Sequence, residues 1–396
     1  MGPSFDVVVI GGGIFGVTSA LELNRRGYRV ALLDQGPVPH PLASSTDISK
    51  VVRLEYGGDE AYTRHAENSR EGWLRWNEEL GEELYHEVGI VMVTRTPMAP
   101  GDFEYEDYHS LRERGHPIER LDSQSIAERF PAFNPGVFVE GHYSPHGGYA
   151  ESGRVVATLA ARARTEGIRI MTGELVSSIR VQSGKVLGVG TSNGVIIDSG
   201  WVVVAAGAWT ISLLPELRPA MRSVGLPVYY LKPADPSLFQ PPKLPVFSVD
   251  VSQTGWYGFP LHPREGVLKI AHHGMGVSVD PVEDERRIRE GEIEKLRQML
   301  VSFMPKLSDS PIVYTRRCLY CDTFDEHFWI DRHPQIKGLI VAAGGSGHAF
   351  KFAPLLGTWV GDTLEGILNP DLDRFHWREA PPDAIGEEAS RYREEL

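Results

Sequence analysis

Gly11, Gly13 and Gly16 follow directly on the β-branched run Val7-Val8-Val9-Ile10, and Val17 to Leu23 then reads as a helix. In a Gly-x-Gly-x-x-Gly turn the three glycines permit a tight bend, close backbone approach to a pyrophosphate, and helix–strand packing. The helix opens at Ile14 and Phe15, so its positive end faces the phosphates. A second strand, Val30 to Leu33, ends at Asp34, about where a ribose hydroxyl needs an acceptor. Strand, glycines, helix, strand and acid in that order predict a nucleotide with an ADP half.

Three further groups have reactive chemistry. Cys318 and Cys321 stand behind Arg316-Arg317 with the spacing of a redox pair or half a zinc site. These two are the only cysteines. That is too few for a disulfide framework and leaves a structural zinc without its remaining ligands, so no metal is expected. A reactive thiol and a buried apolar cysteine both remain open. Gly344-Gly345-Ser346-Gly347-His348 ends one strand and opens a helix, offering backbone N–H groups and a positive helix end to developing negative charge. Lys269 lies in the strand-like run Gly266 to His273, where period two puts Lys269, Ala271 and His273 on one face. A lysine on an inner sheet face is costly unless paired or functional; a strand-end lysine reaching solvent is the alternative.

The elements that must position these groups follow from hydrophobic patterning. Arg64 to Leu80 and Glu151 to Gly167 read as helices, Asp107 to Gly115 as a short polar helix, and Val88 to Thr96 as a strand. Short strands are expected at Val176 to Val181, Val186 to Thr191 and Gly194 to Ile197. Trp201 to Ala206 is a buried strand running into Gly207-Ala208-Trp209, small residues that let backbone approach a cofactor. Pro227 to Ile270 alternates in short runs broken by Pro and Gly, the pattern of an antiparallel sheet. Asp284 to Phe303 predicts a helix, Gly338 to Ala343 a buried parallel strand, and Ala353 to Ile367 a helix. The end of the chain, with Pro381-Pro382 and many charges, reads as a surface tail.

With 396 residues, 41% hydrophobic and 23% charged, the chain has room for two packed domains. The expected fold class is α/β (α+β overall): a discontinuous Rossmann-like domain over 1–86, 147–220 and 325–396, and an antiparallel-sheet substrate domain over 87–146 and 221–324. Such discontinuity fits flavin enzymes better than a simple nicotinamide dehydrogenase. A formal charge of −13 argues against a nucleic-acid surface. No apolar run approaches the ~18 residues that span a bilayer. The first strand begins too early for a signal peptide. A soluble, cytoplasmic protein is the expectation.

Two C-terminal segments, Thr315 to Phe328 and Gly344-Gly345-Ser346-Gly347-His348-Ala349-Phe350-Lys351-Phe352, carry a resemblance to a known family. With the fingerprint, Lys50-Val51-Val52-Arg53, Gly258-Phe259-Pro260 and Lys269, the chain resembles the monomeric sarcosine oxidase and fructosyl amino acid oxidase (amadoriase) branch of the D-amino-acid-oxidase-like flavoproteins. The resemblance runs over nearly the whole length.

It implies FAD, joined through the sulfur of Cys318. Cofactor contacts are then expected from Gly11, Gly13, Ile14, Phe15, Gly16, Asp34, Ser45, Lys50, Val176, Ala206, Gly207, Trp209, Cys318, Gly345, Gly347, His348 and Lys351. Lys269 takes the place of the family's oxygen-reactive lysine, and Arg53 and Lys351 those of its substrate-carboxylate clamp, a bidentate fork and a point charge. His273 resembles an active-site histidine, and Trp256, beside Tyr257, matches an aromatic position of the substrate cavity. Bland alternatives stand beside these: a solvated Lys50, a core His273, and core packing for Trp256 and Tyr257. Sarcosine oxidases carry tyrosine where Trp256 stands and histidines within Ser44 to Lys50; that stretch and Gly344-Gly345-Ser346-Gly347 lean toward the amadoriases.

The implied activity is oxidation of secondary amines in N-substituted amino acids (N-methyl, N-carboxymethyl or glycated), with molecular oxygen giving hydrogen peroxide. Rival readings are a glycine, primary-amine or cyclic imino-acid oxidase, a flavin dehydrogenase using an electron carrier, and a flavin-binding protein without turnover. The expected partners are a small amino-acid substrate and oxygen, with no nucleic acid and no membrane, in a monomer or small homo-oligomer.

Overall fold

The computed structural model describes residues 4–384 and 386–393. Residues 1–3, 385 and 394–396, at or near the limits of the expected nucleotide-binding segments, lie outside the described residues. The two buried β-branched runs lie side by side. Ser4–Ile10 pairs in parallel with Val30–Asp34 on one edge and Ile196–Val204 on the other, and Leu339–Ala343 continues the parallel order beyond Ile196–Val204. Arg169–Thr172, the hairpin Val176–Gln182/Lys185–Thr191 and Trp329–Arg332 complete an eight-stranded sheet. Alternation sends Val7 and Val9 toward helices Ile14–Arg25, Ser152–Thr165 and Ala353–Glu365, and Val8 and Ile10 toward the opposite face.

A nine-stranded sheet holds the remaining longer strands. Its spine is the antiparallel pair Met221–Leu231 and Ile312–Thr323, in register from Met221↔Thr323 onward. Leu268–His272, Trp256–Gly258 and Val246–Val249 follow, the last in parallel with Ile90–Thr94. Helix Glu290–Phe303 covers this sheet through Leu296, Met299 and Leu300. A small third sheet, Lys50–Val52, Gly148–Ala150 and Tyr85–His86, bridges toward the first.

Three local readings change. Helix Glu290–Phe303 starts later than the apolar spacing suggests. Arg286 has φ +60°, and the Glu292 carboxylate closes a capping box on the Arg289 N–H, so the helix can begin only there. Ile196–Val204 is one strand, running through Gly200 where two were expected. The C-terminal end is a surface tail only in part: Pro381, Pro382 and Asp383 are exposed, but Glu388, Ser390 and Arg391 are buried. Its charges find internal partners, Arg391 with Asp322 at 2.6 Å and Glu388 with Arg53 at 3.2 Å, which offset part of the cost of burying them.

Candidate active site

Two adjoining cavities share Lys50, Tyr320, Gly347 and Phe350. The larger, about 650 Å³, runs along the carboxyl ends of the parallel strands, past Ile10, Leu33, Ala205 and Ala343, where open parallel sheets hold their ligands. Its volume is that of a cofactor cleft.

The fingerprint fits such an occupant by its backbone. A Cβ on Gly11 (φ +102°) would stand 2.5 Å from the Ala205 carbonyl oxygen. One on Gly16 would stand 1.8 Å from that of Gly11. Gly16 thus packs helix against turn and does not itself line the cleft, whereas Gly11, Gly13, Ile14 and Phe15 do. Asp34 Oδ2 accepts the Gly12 N–H at 2.7 Å and Oδ1 that of Gly36 at 2.9 Å. Each oxygen keeps a lone pair for a ribose hydroxyl. Ser45 Oγ accepts the Ile14 N–H at 3.0 Å and holds the helix start. Val176, Ala206, Gly207 and Trp209 form further wall, and Lys50, Gly345 and Gly347 the end nearest the second cavity. Here Gly344, Ser346 and Gly347 all have positive φ. The Ser346 N–H of this turn donates to the Cys321 carbonyl at 3.0 Å and that of His348 to the Gly345 carbonyl at 2.9 Å, and the strain at Ser346 is of the kind kept at functional sites.

Cys318 and Cys321 exchange their expected surroundings. Cys321, read as packing, lines the cleft. Burial pushes its thiol up to about 12, so it stays protonated. Cys318 sits among Leu226, Val228, Ala271 and Tyr320, with its sulfur 4.0 Å from Lys50 Nζ.

Behind Lys50 lies a buried charge hub. The Asp47 carboxylate meets Lys269 at 2.7 Å, Lys50 and Arg316 at 3.4 Å each, and accepts from Tyr230 Oη at 2.5 Å. Burial opposes its ionisation, but the three cations win and hold it well below the usual carboxylate range. Lys269 also donates to the Ser49 carbonyl at 2.5 Å and lines neither cavity. Burial pulls its ammonium down to about 7 against the attraction of Asp47. For Lys50 burial is outweighed by Cys318, Asp47 and Tyr257, and its ammonium is raised.

The second cavity, about 70 Å³, brings together Arg53, Lys351, His273, His348 and Tyr257. Arg53 Nη2 donates to Glu388 Oε1 at 3.2 Å and Ser390 Oγ at 2.8 Å, while Nη1 has no hydrogen-bond partner among the described residues. Lys351 Nζ donates to Tyr56 Oη at 2.8 Å. His348 Nε2 reaches the Glu326 carbonyl at 2.9 Å, which must accept, so Nδ1 accepts from Tyr56 Oη, also at 2.9 Å. Burial and then the neighbouring Lys351 hold His348 well below its ordinary value, as burial and then Arg53 do for Lys351. His348 therefore belongs to this cavity and not to the large cleft where it was expected.

Trp256 does not reach either cavity. It packs in the core beside Tyr229 and His272, because strand alternation turns the next residue, Tyr257, to the cavity face. Tyr56, Tyr320, Asp47 and Glu388 were missed. Asp47, a carboxylate three residues before Lys50, had a local signal; Glu388 had none.

Residues 6–363 match the family model described as FAD dependent oxidoreductase. The chain is 26% identical over 384 residues to monomeric sarcosine oxidase of Bacillus sp. (strain B-0618), spanning 95% of this chain and 96% of that protein. It is 27% identical over 413 residues to L-saccharopine oxidase of Schizosaccharomyces pombe, spanning 95% and 94%. In fold it is similar to fructosamine oxidase (Amadoriase II) of Aspergillus fumigatus, with a TM-score of 0.83, 23% identity, and 98% and 94% of the chains covered. Parallel sheet, glycine turn and cleft agree with that match, and the chain belongs to the FAD-dependent oxidoreductase family.

Proposed function

We propose that this protein is an FAD-dependent oxidase of secondary amines in N-substituted amino acids. One observation carries the reading: two buried cations with unspent donors, Arg53 and Lys351, face a small cavity that adjoins the cofactor cleft. Such a pair suits an amino-acid carboxylate, which would satisfy Arg53 Nη1 and the free Lys351 donors. Relatives named for sarcosine and saccharopine oxidation support the same substrate class.

FAD, when bound in the cleft, supplies the two-electron acceptor and passes the electrons to oxygen as hydrogen peroxide. The chain does the rest. Arg53 and Lys351 anchor the carboxylate and set the position of the amine. The amine must react as the free base, and the surrounding cations lower its pKa as like charges do. Tyr257 and Phe350 give the cavity apolar wall. The imine product hydrolyses in water. Cys318, with Lys50 beside it, is the residue for covalent attachment of the cofactor. Lys269, through the Asp47 hub, supports the reaction with oxygen. The cofactor-binding unit is drawn from 1–86, 147–220 and 325–396.

The test is a peroxide-release screen over N-methyl, N-carboxymethyl, cyclic and glycated amino acids, paired with anaerobic bleaching of the flavin. Turnover of secondary amines, with primary amines far slower, is expected. Bleaching without peroxide would make the protein a dehydrogenase, and no bleaching by any amine would end the enzyme reading.

A further inference from the structure

The second cavity has two kinds of wall. Arg53 follows the strand Lys50–Val52 and Lys351 lies in the turn Ala349–Phe352, and with Lys50 they make its cationic side. Its floor is the nine-stranded sheet, where the paired strands Ile90–Thr94 and Val246–Val249 present Ile90, Met92, Val246 and Ser248. The parallel register sets Val246 beside Ile90 and Ser248 beside Met92, so period two turns all four to the cavity. Val91 and Val249 point the other way, into the core beneath helix Glu290–Phe303.

Ser248 differs in kind from its neighbours on that floor. Ile90, Met92 and Val246 belong to an apolar cluster with Phe103, Val251 and Phe259. Ser248 is 4% exposed, and its hydroxyl has no hydrogen-bond partner among the described residues. A buried hydroxyl left in that state is unfavourable, and alanine would fill nearly the same space without the penalty. The other serine of the cavity, Ser390, is already engaged: its Oγ accepts from Arg53 at 2.8 Å and donates to Glu388 at 2.6 Å. A partner for Ser248 Oγ has to enter with whatever fills the cavity.

We propose that Ser248 determines substrate specificity by hydrogen-bonding the substituent on the substrate nitrogen, so that a hydroxyl-bearing N-substituent is selected over an apolar one of the same shape. The inference rests on the reading that Arg53 and Lys351 bind the substrate carboxylate. With the carboxylate at the cationic side, an N-substituted glycine has only its N-substituent left to lie over the floor. A cavity of about 70 Å³ leaves room for a short one. Ile90 and Met92 pack its methylene stem, and the Ser248 hydroxyl, which both donates and accepts, meets its polar end. An apolar substituent would leave Ser248 buried and unpaired, and a site that holds an unpaired polar group disfavours the ligand that leaves it so.

The probes are N-(2-hydroxyethyl)glycine and N-propylglycine, which differ by a hydroxyl in place of a methyl. Each is mixed anaerobically with the flavin-loaded enzyme, and the second-order rate of flavin bleaching is read from the absorbance. Ser248→Ala should lower the ratio of the hydroxyethyl rate to the propyl rate by about tenfold. Met92→Leu reshapes the same floor at nearly constant volume, removes no hydrogen bond, and should leave that ratio alone. An unchanged ratio in Ser248→Ala, with Arg53→Ala still slowing both compounds, overturns this inference alone. A shift in Met92→Leu equal to that of Ser248→Ala would make shape, not the hydroxyl, the cause and would also overturn it. Bleaching that ignores Arg53→Ala, or is absent with both compounds in the wild type, overturns the carboxylate reading beneath it.

Discussion

The Lys269 ammonium and the Asp47 carboxylate meet at 2.7 Å, with 1% of one side chain and none of the other exposed. Neither can turn to water if its partner is lost. Asp47→Asn leaves Lys269, Lys50 and Arg316 around a neutral amide, and breaking a buried pair in this way costs about 3–5 kcal/mol. Denaturant unfolding of the flavin-loaded enzyme should show that loss. An effect below about 1 kcal/mol, the range of exposed ion pairs, would mean that water reaches the hub.

Lys269 should serve the oxygen half-reaction. Lys269→Met is expected to slow reoxidation of reduced enzyme by orders of magnitude while anaerobic reduction by substrate changes much less. The charged and titratable groups that act on it are Asp47 and Cys318, which favour its charge, and Lys50, which opposes it. With its ammonium pulled from 10.5 to about 7, Lys269 is a cation below that pH and neutral above it. The reoxidation rate should therefore fall as pH rises through about 7, and Lys269→Met should flatten that limb. If Lys50→Met reproduces the defect and Lys269→Met does not, the task belongs to the lysine that lines both cavities.

Flavin should remain attached to acid-precipitated wild type. Cys318→Ala should release it and Cys321→Ala should not, although Cys321 is the cysteine that lines the cleft. Burial keeps the Cys321 thiol protonated and unreactive, and Lys50 Nζ lies 4.0 Å from the Cys318 sulfur. Release from Cys321→Ala with retention in Cys318→Ala would reverse the assignment.

Arg53→Ala removes one of two cations from a desolvated carboxylate, at a cost of roughly 2–5 kcal/mol. That is about 30-fold or more in apparent affinity for amino-acid substrates. An amine lacking the carboxylate should feel the change far less. Lys351, held down by burial and by Arg53, should be raised again by a bound carboxylate.

The nucleotide-binding half was legible because its signals are local. Val7 to Ile10, the three glycines and Asp34 lie within one strand–helix–strand unit, where spacing alone dictates geometry. Arg53 and Lys351 were nameable from motif context, but their meeting depends on tertiary structure. Trp256 failed by one residue, since the three-residue strand Trp256–Gly258 after Gly255 does not announce which face is inner. Glu388 was illegible for a different reason. A charged C-terminal stretch reads as solvated unless its counter-charges are known, and Arg53 lies 335 positions away in the chain.

The parallel order that places Leu339–Ala343 beside Ile196–Val204, and Ile196–Val204 beside Ser4–Ile10, has a consequence for biosynthesis. While the chain is still being made, the fingerprint has already emerged, yet the loop at Gly344 and the base of Lys351 have not. Until then Val202 to Val204 lack a neighbour on the edge that Leu339–Ala343 will cover, a template for the wrong partner. Cofactor capture must therefore wait until Leu339–Ala343 has joined the sheet, and a chain stopped before Leu339 is a fragment with the fingerprint intact and no site in which to use it.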